Sequence, residues 1–358
     1  MGNALKGVSD EKLAESEKQM LSFIGLPLED FDMDNVAIDS QGNFVRTIHI
    51  GAGEGRPLLV LVHGYGGSGL LFYRIVKPLV EAGLHVILID ILGMGSSSRP
   101  EFDKEMTADQ ADLYFVDFLE KWRIAMGDIR DFFLAGHSFG GYICGHYAIK
   151  HSDKIRKLLM LSPAGVVVKP ENYVFGVARP RNGQGPPKFV QNIARLTWKH
   201  KWSPFGMMRK SGGLIGKKLI KTYITRRLSG TLSPHEFDVL LDYMHQIFMR
   251  EGSTEYALFI QFELGMWAIN PLETRERLGS LPIPVSFFYG DRDWMDYRGG
   301  QRVIEQNRFY NAEAKEKGLS QVYIISDSDH HLYFDNPVEF AKLIVQDVQM
   351  TLDASPAK

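Results

Sequence analysis

Two patterns of apolar residues alternate along the first half of the chain. PLLVLV (57–62) and HVILID (85–90) are short, unbroken apolar runs. Such runs fit strands buried on both faces, as parallel strands are. Between them, LLFYRIVKPLVEAG places apolar residues near helical spacing and stops at Gly83. TADQADLYFVDFLEKWRIAMG (107–127) predicts a long amphipathic helix opening on a threonine and closing on a glycine. FFLA and KLLMLS predict two further strands with a helix between them. This alternation predicts an α/β protein with a mostly parallel sheet covered by helices on both faces.

The rhythm breaks over residues 166–280, which contain RPRNGQGPP and helix-like segments rich in Trp, Met and Lys, with no clear strand. It resumes with PIPVSFFYG (282–290), a helix, QVYIIS (321–326) and a final helix from Pro337. The predicted organisation is a discontinuous core, residues 35–165 and 281–354, interrupted by a helical cap at 166–280. An insertion between two strands, above the sheet end where sites form, is expected to serve as a lid.

Charge sharpens that picture. The formal net charge of −2 conceals a segment, Asn172 to His235, with 13 Lys and Arg and no acid. The other residues hold 28 basic and 43 acidic side chains, a net of −15. A local anionic partner is expected. Trp198, Trp202, Phe205, Met207 and Met208 suit a membrane interface, with Lys199, Lys201, Arg209, Lys210, Lys217, Lys218 and Lys221 meeting phosphates. Each cation near an anionic bilayer contributes about 1 kcal/mol. The competing reading is a solvated helical face paired with acids of the core. No nucleic-acid module accompanies the basic stretch, so nucleic acid is not an expected partner.

No run of 18 apolar residues is present, and the first twenty residues lack a secretory apolar run and are too acidic for a mitochondrial transit peptide. The single cysteine, Cys144, allows no internal disulfide and reads as core. The expected location is cytoplasmic, peripheral on membranes or lipid droplets. Lys6 stands where an N-myristoylation pattern wants Ser or Thr.

The chemistry concentrates in three loops. Gly136-His137-Ser138-Phe139-Gly140 matches G-x-S-x-G between a predicted strand and helix, making Ser138 a candidate nucleophile on a tight turn. The Phe139 N–H would face a developing oxyanion. LVHGYGGSG (61–69) supplies the second donor loop, around Gly64, Tyr65 and Gly66. Gly64, Gly66 and Gly69 with Asp90 also spell a dinucleotide fingerprint. Against it, Asp90 runs on into a Gly/Ser turn, and a dehydrogenase has no use for the elbow serine. SDSDHHLYFDNP (326–337) offers His330 or His331 as general base. FFYGDRDWMDY (287–297) offers Asp291, Asp293 and Asp296 as the acid orienting it. Asp293, three residues past the strand's glycine, is preferred, with Asp296 the alternative. No H-E-x-x-H, C-x-x-C or Walker loop occurs, so neither a metal nor a nucleotide cofactor is expected.

HGYGGSG, DILGMGSSSRP, GHSFGG, YGDRDWMD and HHLYFD, in this order, resemble the α/β-hydrolase superfamily. SPAG after Leu161 and SPFGMMRKSGGLIGKKLIKTYITRRL resemble one phospholipid branch of it. That branch holds plant soluble lysophosphatidate acyltransferase, fungal cardiolipin deacylase, animal N-acyl-phosphatidylethanolamine lipase and the comparative-gene-identification lipase co-activator. The likeness covers about residues 35–350 and implies an α/β-hydrolase fold with an inserted helical lid. It further implies acyl transfer through an acyl-serine on a phospholipid or lysophospholipid, with acyl-CoA as the co-substrate of any transferase activity. The branch's His-x4-Asp signature falls on His330 and Asp335, which selects His330 over His331. Asp335 alternatively supports the helix start formed by Asn336, Pro337 and Glu339. Some branch members lack the serine and act as co-activators, so a non-catalytic lipid-surface protein is the alternative function. A soluble carboxylesterase or aminopeptidase is the third.

Overall fold

The structure, a computed structural model, describes residues 7–175, 187–228, 230–310 and 318–354. All of RPRNGQGPP but its last proline lies outside the described residues. Eight strands form one sheet: β1 Phe31–Ala37, β2 Phe44–Ile50, β3 Leu58–Val62, β4 His85–Ile89, β5 Phe132–His137, β6 Ile155–Leu161, β7 Val285–Gly290 and β8 Val322–Ile325. Their order is β1-β2-β4-β3-β5-β6-β7-β8. β2 runs antiparallel to both neighbours, and every other pairing is parallel.

The unbroken apolar runs have a direct cause. Leu59 and Leu61 enter the core on one face of the sheet, and Val60 and Val62 enter the core on the other. Side chains alternate along a strand, so a two-faced core demands apolar residues at every position. Helices α2 (Tyr73–Glu81), α3 (Ala108–Ala125), α4 (Phe139–His151), α9 (Tyr297–Tyr310) and α10 (Pro337–Ala354) complete the core. α3 starts where expected, with a capping box between Thr107 and Gln110. The buried Lys157 on β6 binds α10 through Asp347, 2.7 Å away.

The sheet begins four residues before the expected core, and a helix precedes it. Helix α1 (Asp10–Ser22) buries Leu13, Met20 and Leu21. Between β6 and β7 lie α5 (Lys188–Lys199), α6 (Pro204–Lys210), α7 (Gly213–Leu228) and α8 (Pro234–Phe248). The insertion is not wholly helical: Phe262–Glu263 and Trp267–Ala268 form a two-residue antiparallel pair. α1 packs on α8, with the Ser9 N–H 3.2 Å from Gln246 Oε1. Its buried Glu17 accepts from Arg46 of β2 at 2.8 Å and from Ser96 at 2.8 Å. One helix is therefore fastened to core and insertion alike. Among the described residues no helix is long and apolar enough to cross a membrane.

Candidate active site

The strand order reverses at β3, with β4 on one side and β5 on the other, and the loops leaving β3 and β5 face each other at that switch point. Ser138 occupies the turn from β5 into α4 with φ 54° and ψ −116°, a conformation a non-glycine residue rarely adopts. Three backbone bonds fix it. Its N–H donates to Leu161 O at 3.0 Å, and its carbonyl accepts from Tyr142 N at 3.1 Å and Ala164 N at 3.0 Å. The flanking glycines are sterically required. A Cβ on Gly136 would meet Gly140 O at 2.5 Å, and one on Gly140 would meet His63 O at 2.3 Å.

His330, in the loop after β8, brings Nε2 to 3.0 Å from Ser138 Oγ. The other side of the ring differs from the expected direct acid contact. Nδ1 lies 2.6 Å from Ser162 Oγ, and that hydroxyl lies 2.5 Å from Asp293 Oδ2. Asp293 Oδ1 is 3.5 Å from Nδ1. The bonding pattern assigns the proton to Nδ1, donating to Ser162, which donates to Asp293; Nε2 is left to accept from Ser138. Ser162 is fully buried with φ 43°, and its N–H donates to Phe288 O at 2.7 Å. Burial pushes the Asp293 carboxyl up. The His330 ring 3.5 Å away, helped by the Ser162 hydroxyl and the Met295 N–H, outweighs it and holds the group below its ordinary value.

The other candidates take different places. Asp296 accepts from Arg298 at the start of α9. Asp291 accepts from the Asp327 and Ser328 N–H groups and so holds the loop carrying His330. Asp335 accepts from the Asp329 N–H at 2.9 Å, which anchors the same loop. The capping role falls to Asn336, whose Oδ1 accepts from Glu339 N at 3.3 Å. His331 packs beside His137, Tyr333 and Phe334; desolvation, followed by the His330 and Arg227 charges, lowers its pKa to about 3. His137 donates from Nε2 to the His330 carbonyl at 2.9 Å, and desolvation holds it neutral.

The β3 loop lies against the serine: a Cβ on Gly64 would stand 3.0 Å from Ser138 Cβ. Gly66 is no oxyanion donor, because its N–H points at Met94 Sδ 3.4 Å away. The N–H groups of Tyr65 and Phe139 donate no hydrogen bond among the described residues. Buried His63 orders the loop, with Nδ1 donating to Gly64 O at 2.7 Å and Nε2 accepting from Ile91 N at 2.9 Å; burial lowers its pKa to about 4. Asp90 is no ribose ligand. Its two oxygens accept from Gly69 N and Ser96 N, each at 2.6 Å. Among the described residues no cluster of three metal-ligating side chains occurs.

The cationic segment divides. Arg209 does not face a lipid phosphate: Glu255 holds its guanidinium at 2.5 and 3.0 Å, and the side chain is 10% exposed. Lys217 pairs with Asp242, and Lys201 lies 3.5 Å from Glu105. Lys199, Lys210, Lys218 and Lys221 are exposed and form no ion pair among the described residues. Trp198 and Phe205 turn inward, Trp198 donating to Phe262 O at 3.2 Å and Phe205 lying 5.3 Å from the Tyr65 ring. Ser162, His137 and His63 were not foreseen as site residues. SPAG was the sole signal for Ser162, and nothing in it marks the hydroxyl.

Residues 57–198 match the alpha/beta hydrolase fold family. The chain is 30% identical to 1-acylglycerol-3-phosphate O-acyltransferase of Arabidopsis thaliana, over 96% of this chain and 82% of that protein. It is 29% identical to the (lyso)-N-acylphosphatidylethanolamine lipase of Homo sapiens, over 83% of this chain and 80% of that one. A bacterial membrane phospholipase A shares the fold with a TM-score of 0.63 at 20% identity, covering 96% of this chain and 92% of that one. The chain belongs to the alpha/beta hydrolase fold family, in the branch that holds these acyltransferase and lipase relatives.

Proposed function

We infer that the protein is a serine-dependent acyl hydrolase or acyltransferase acting on glycerophospholipids or lysophospholipids. The observation that carries this is the 3.0 Å contact between Ser138 Oγ and His330 Nε2, with the opposite ring nitrogen held by Ser162 and Asp293. In the reaction, Ser138 attacks the ester carbonyl as its proton passes to His330 Nε2. The Tyr65 and Phe139 N–H groups receive the oxyanion; removing such a donor costs about a hundredfold or more in rate. His330 returns the proton to the leaving alcohol. Water, or a lysolipid hydroxyl in the transfer reaction, then releases the acyl group from Ser138. When acyl-CoA is the donor, Ser138 attacks the thioester instead, His330 returns the proton to the departing coenzyme A thiolate, and the lysolipid hydroxyl then takes the acyl group.

The substrate class rests on the relatives' activities and on the exposed surface of the insertion, which we read as a lid. Phe189, Ile193 and Leu196 present one apolar stripe of α5 to solvent, and Leu214 at the start of α7 is 91% exposed. Lys199, Lys218 and Lys221 lie on the same helices. An apolar stripe among cations suits peripheral contact with an anionic lipid surface. Ser138→Ala should abolish both phospholipid turnover and labelling by a fluorophosphonate, with unchanged circular dichroism. Turnover that survives in that variant removes the mechanism. A wild-type protein that binds anionic liposomes but never labels is a co-activator instead.

A further inference from the structure

We propose that a cavity between the insertion and the β4–α3 loop is a binding site for a phosphate monoester. The cavity holds about 720 Å³ and is lined by Lys104, Lys199, Lys201 and Lys210, with His200 beside them and Glu105 as the single acid. Four ammonium groups against one carboxylate leave a charge of +3 in one concavity. The Lys104 ammonium is directed at the Tyr256 ring, 3.7 Å from its centroid. Lys199 and Lys210 have no ion pair among the described residues. Like charges crowded in one hollow repel, and an anion entering it relieves that repulsion. A monoester carries nearly two negative charges at pH 7 and three acceptor oxygens, whereas a diester carries one.

The backbone adds an independent observation. α5 ends in a Schellman turn: Trp202 N donates to Thr197 O at 2.9 Å, and Lys201 N donates to Trp198 O at 3.0 Å. The left-handed position of that turn favours glycine, yet Lys201 occupies it with φ 51°. A residue kept in an unfavourable conformation points to a use for its side chain. The Lys201 ammonium donates to the Lys104 carbonyl, closing the cavity between lid and core.

The site adjoins the chemistry. Ser203 and Gly206 line the cavity, while Phe205 between them turns its ring onto Tyr65 and over Gly66. α6 thus separates the phosphate site from the oxyanion loop. Two sources carry the required group: the headgroup of a lysophosphatidate-like lipid, and the ribose phosphate of coenzyme A. The link to an acyl substrate rests on the function proposed above; the phosphate site itself does not.

Calorimetry with glycerol 3-phosphate, adenosine 3′,5′-bisphosphate and uncharged glycerol tests it. At least one phosphate ester should bind and glycerol should not, with affinity falling as salt is added. Each lysine removed, in Lys199→Ala, Lys210→Ala or Lys201→Gly, should weaken binding about tenfold. Lys201→Gly relaxes the turn, so its melting temperature should hold or rise while binding falls, which excludes misfolding as the cause. Tighter binding of glycerol 3-phosphate identifies the headgroup, and tighter binding of the bisphosphate identifies coenzyme A. No phosphate-ester binding at millimolar concentration, or binding indifferent to all three variants, overturns the site. p-Nitrophenyl butyrate hydrolysis measured alongside separates the two readings. Ser138-dependent hydrolysis without phosphate binding leaves the acyl chemistry standing and removes the site; the reverse does the opposite.

Discussion

Replacing Ser162 by alanine tests how Asp293 reaches His330. The hydroxyl lies 2.6 Å from Nδ1 and 2.5 Å from Asp293 Oδ2, so both partners lose a bond at once. The remaining approach, 3.5 Å between Nδ1 and Asp293 Oδ1, exceeds the ordinary N–H···O range. A hydrogen bond to a charged group contributes about 1.5–3 kcal/mol, which at about 1.4 kcal/mol per decade predicts a 10- to 150-fold fall in kcat. KM should change little, because Ser162 is fully buried. Ser162→Gly sharpens the test: φ 43° suits glycine, so this variant loses the hydroxyl while easing the backbone. Equal losses in both variants assign the effect to the hydroxyl. Initial rates on p-nitrophenyl butyrate, with near-UV circular dichroism as the fold control, provide the measurement. In an Asp293→Asn background, Ser162→Ala should cost far less than it does alone. A kcat within twofold of wild type in a folded Ser162→Ala protein refutes the relay; Asp293 would then bond the imidazole directly.

Gly140→Ala should strip both stability and activity, because its Cβ would meet His63 O at 2.3 Å, and backbone cannot yield as a side chain does; urea unfolding should show a loss of about 1–3 kcal/mol or more. Lys157→Met should cost about 3–5 kcal/mol by leaving the Asp347 carboxylate unpaired in the core, whereas Lys150→Met, at an exposed pair with Asp117, should shift the urea midpoint hardly at all. Stability should fall on acidification below about pH 6.5. His63, His137 and His331 have folded pKa values below the unfolded one, so the unfolded chain takes up protons that the folded chain refuses. For His63 alone, held at about 4, the loss approaches about 3 kcal/mol once pH drops below that value. Asp90, raised to about 6 by burial, opposes the trend below pH 6, as do the raised Glu17 and Asp335, while the lowered His49, His85, His146, His151 and His245 act with the first three histidines. A melting temperature unchanged between pH 7 and pH 4.5 (about two units below the unfolded histidine value) contradicts this balance.

What was legible in the sequence follows from how locally each feature is encoded. β3 to β6 could be read because burial on both faces leaves an unbroken apolar stretch in each, even in β6, where Arg156 and Lys157 precede it. The elbow could be read because the same five residues carry the serine and the glycines its turn requires. β1 escaped notice as an edge strand whose residues are mostly exposed, so its apolar-polar alternation stops after Phe31–Asp34 and no apolar run marks it. Ser162 looks like any polar residue after a strand, and only the folded chain brings it to Asp293, 131 residues away. A charge count cannot register that Glu255 neutralises Arg209 from 46 residues further along. Long-range pairing of this kind defeats composition, whereas local geometry does not.

Helix α1 carries a mechanical corollary. Gly7 and Ser9 grip Gln246, Asp10 meets Arg250 at 3.0 Å, and Glu17 grips Arg46 and Ser96. The helix therefore works as a strap: tension on it is shared between α8 and the α/β core. A bulky fusion placed just ahead of Gly7 would strain the contacts of α1 with Gln246 and Arg250 of the insertion without touching a reacting atom. Activity lost in such a fusion would report a displaced insertion.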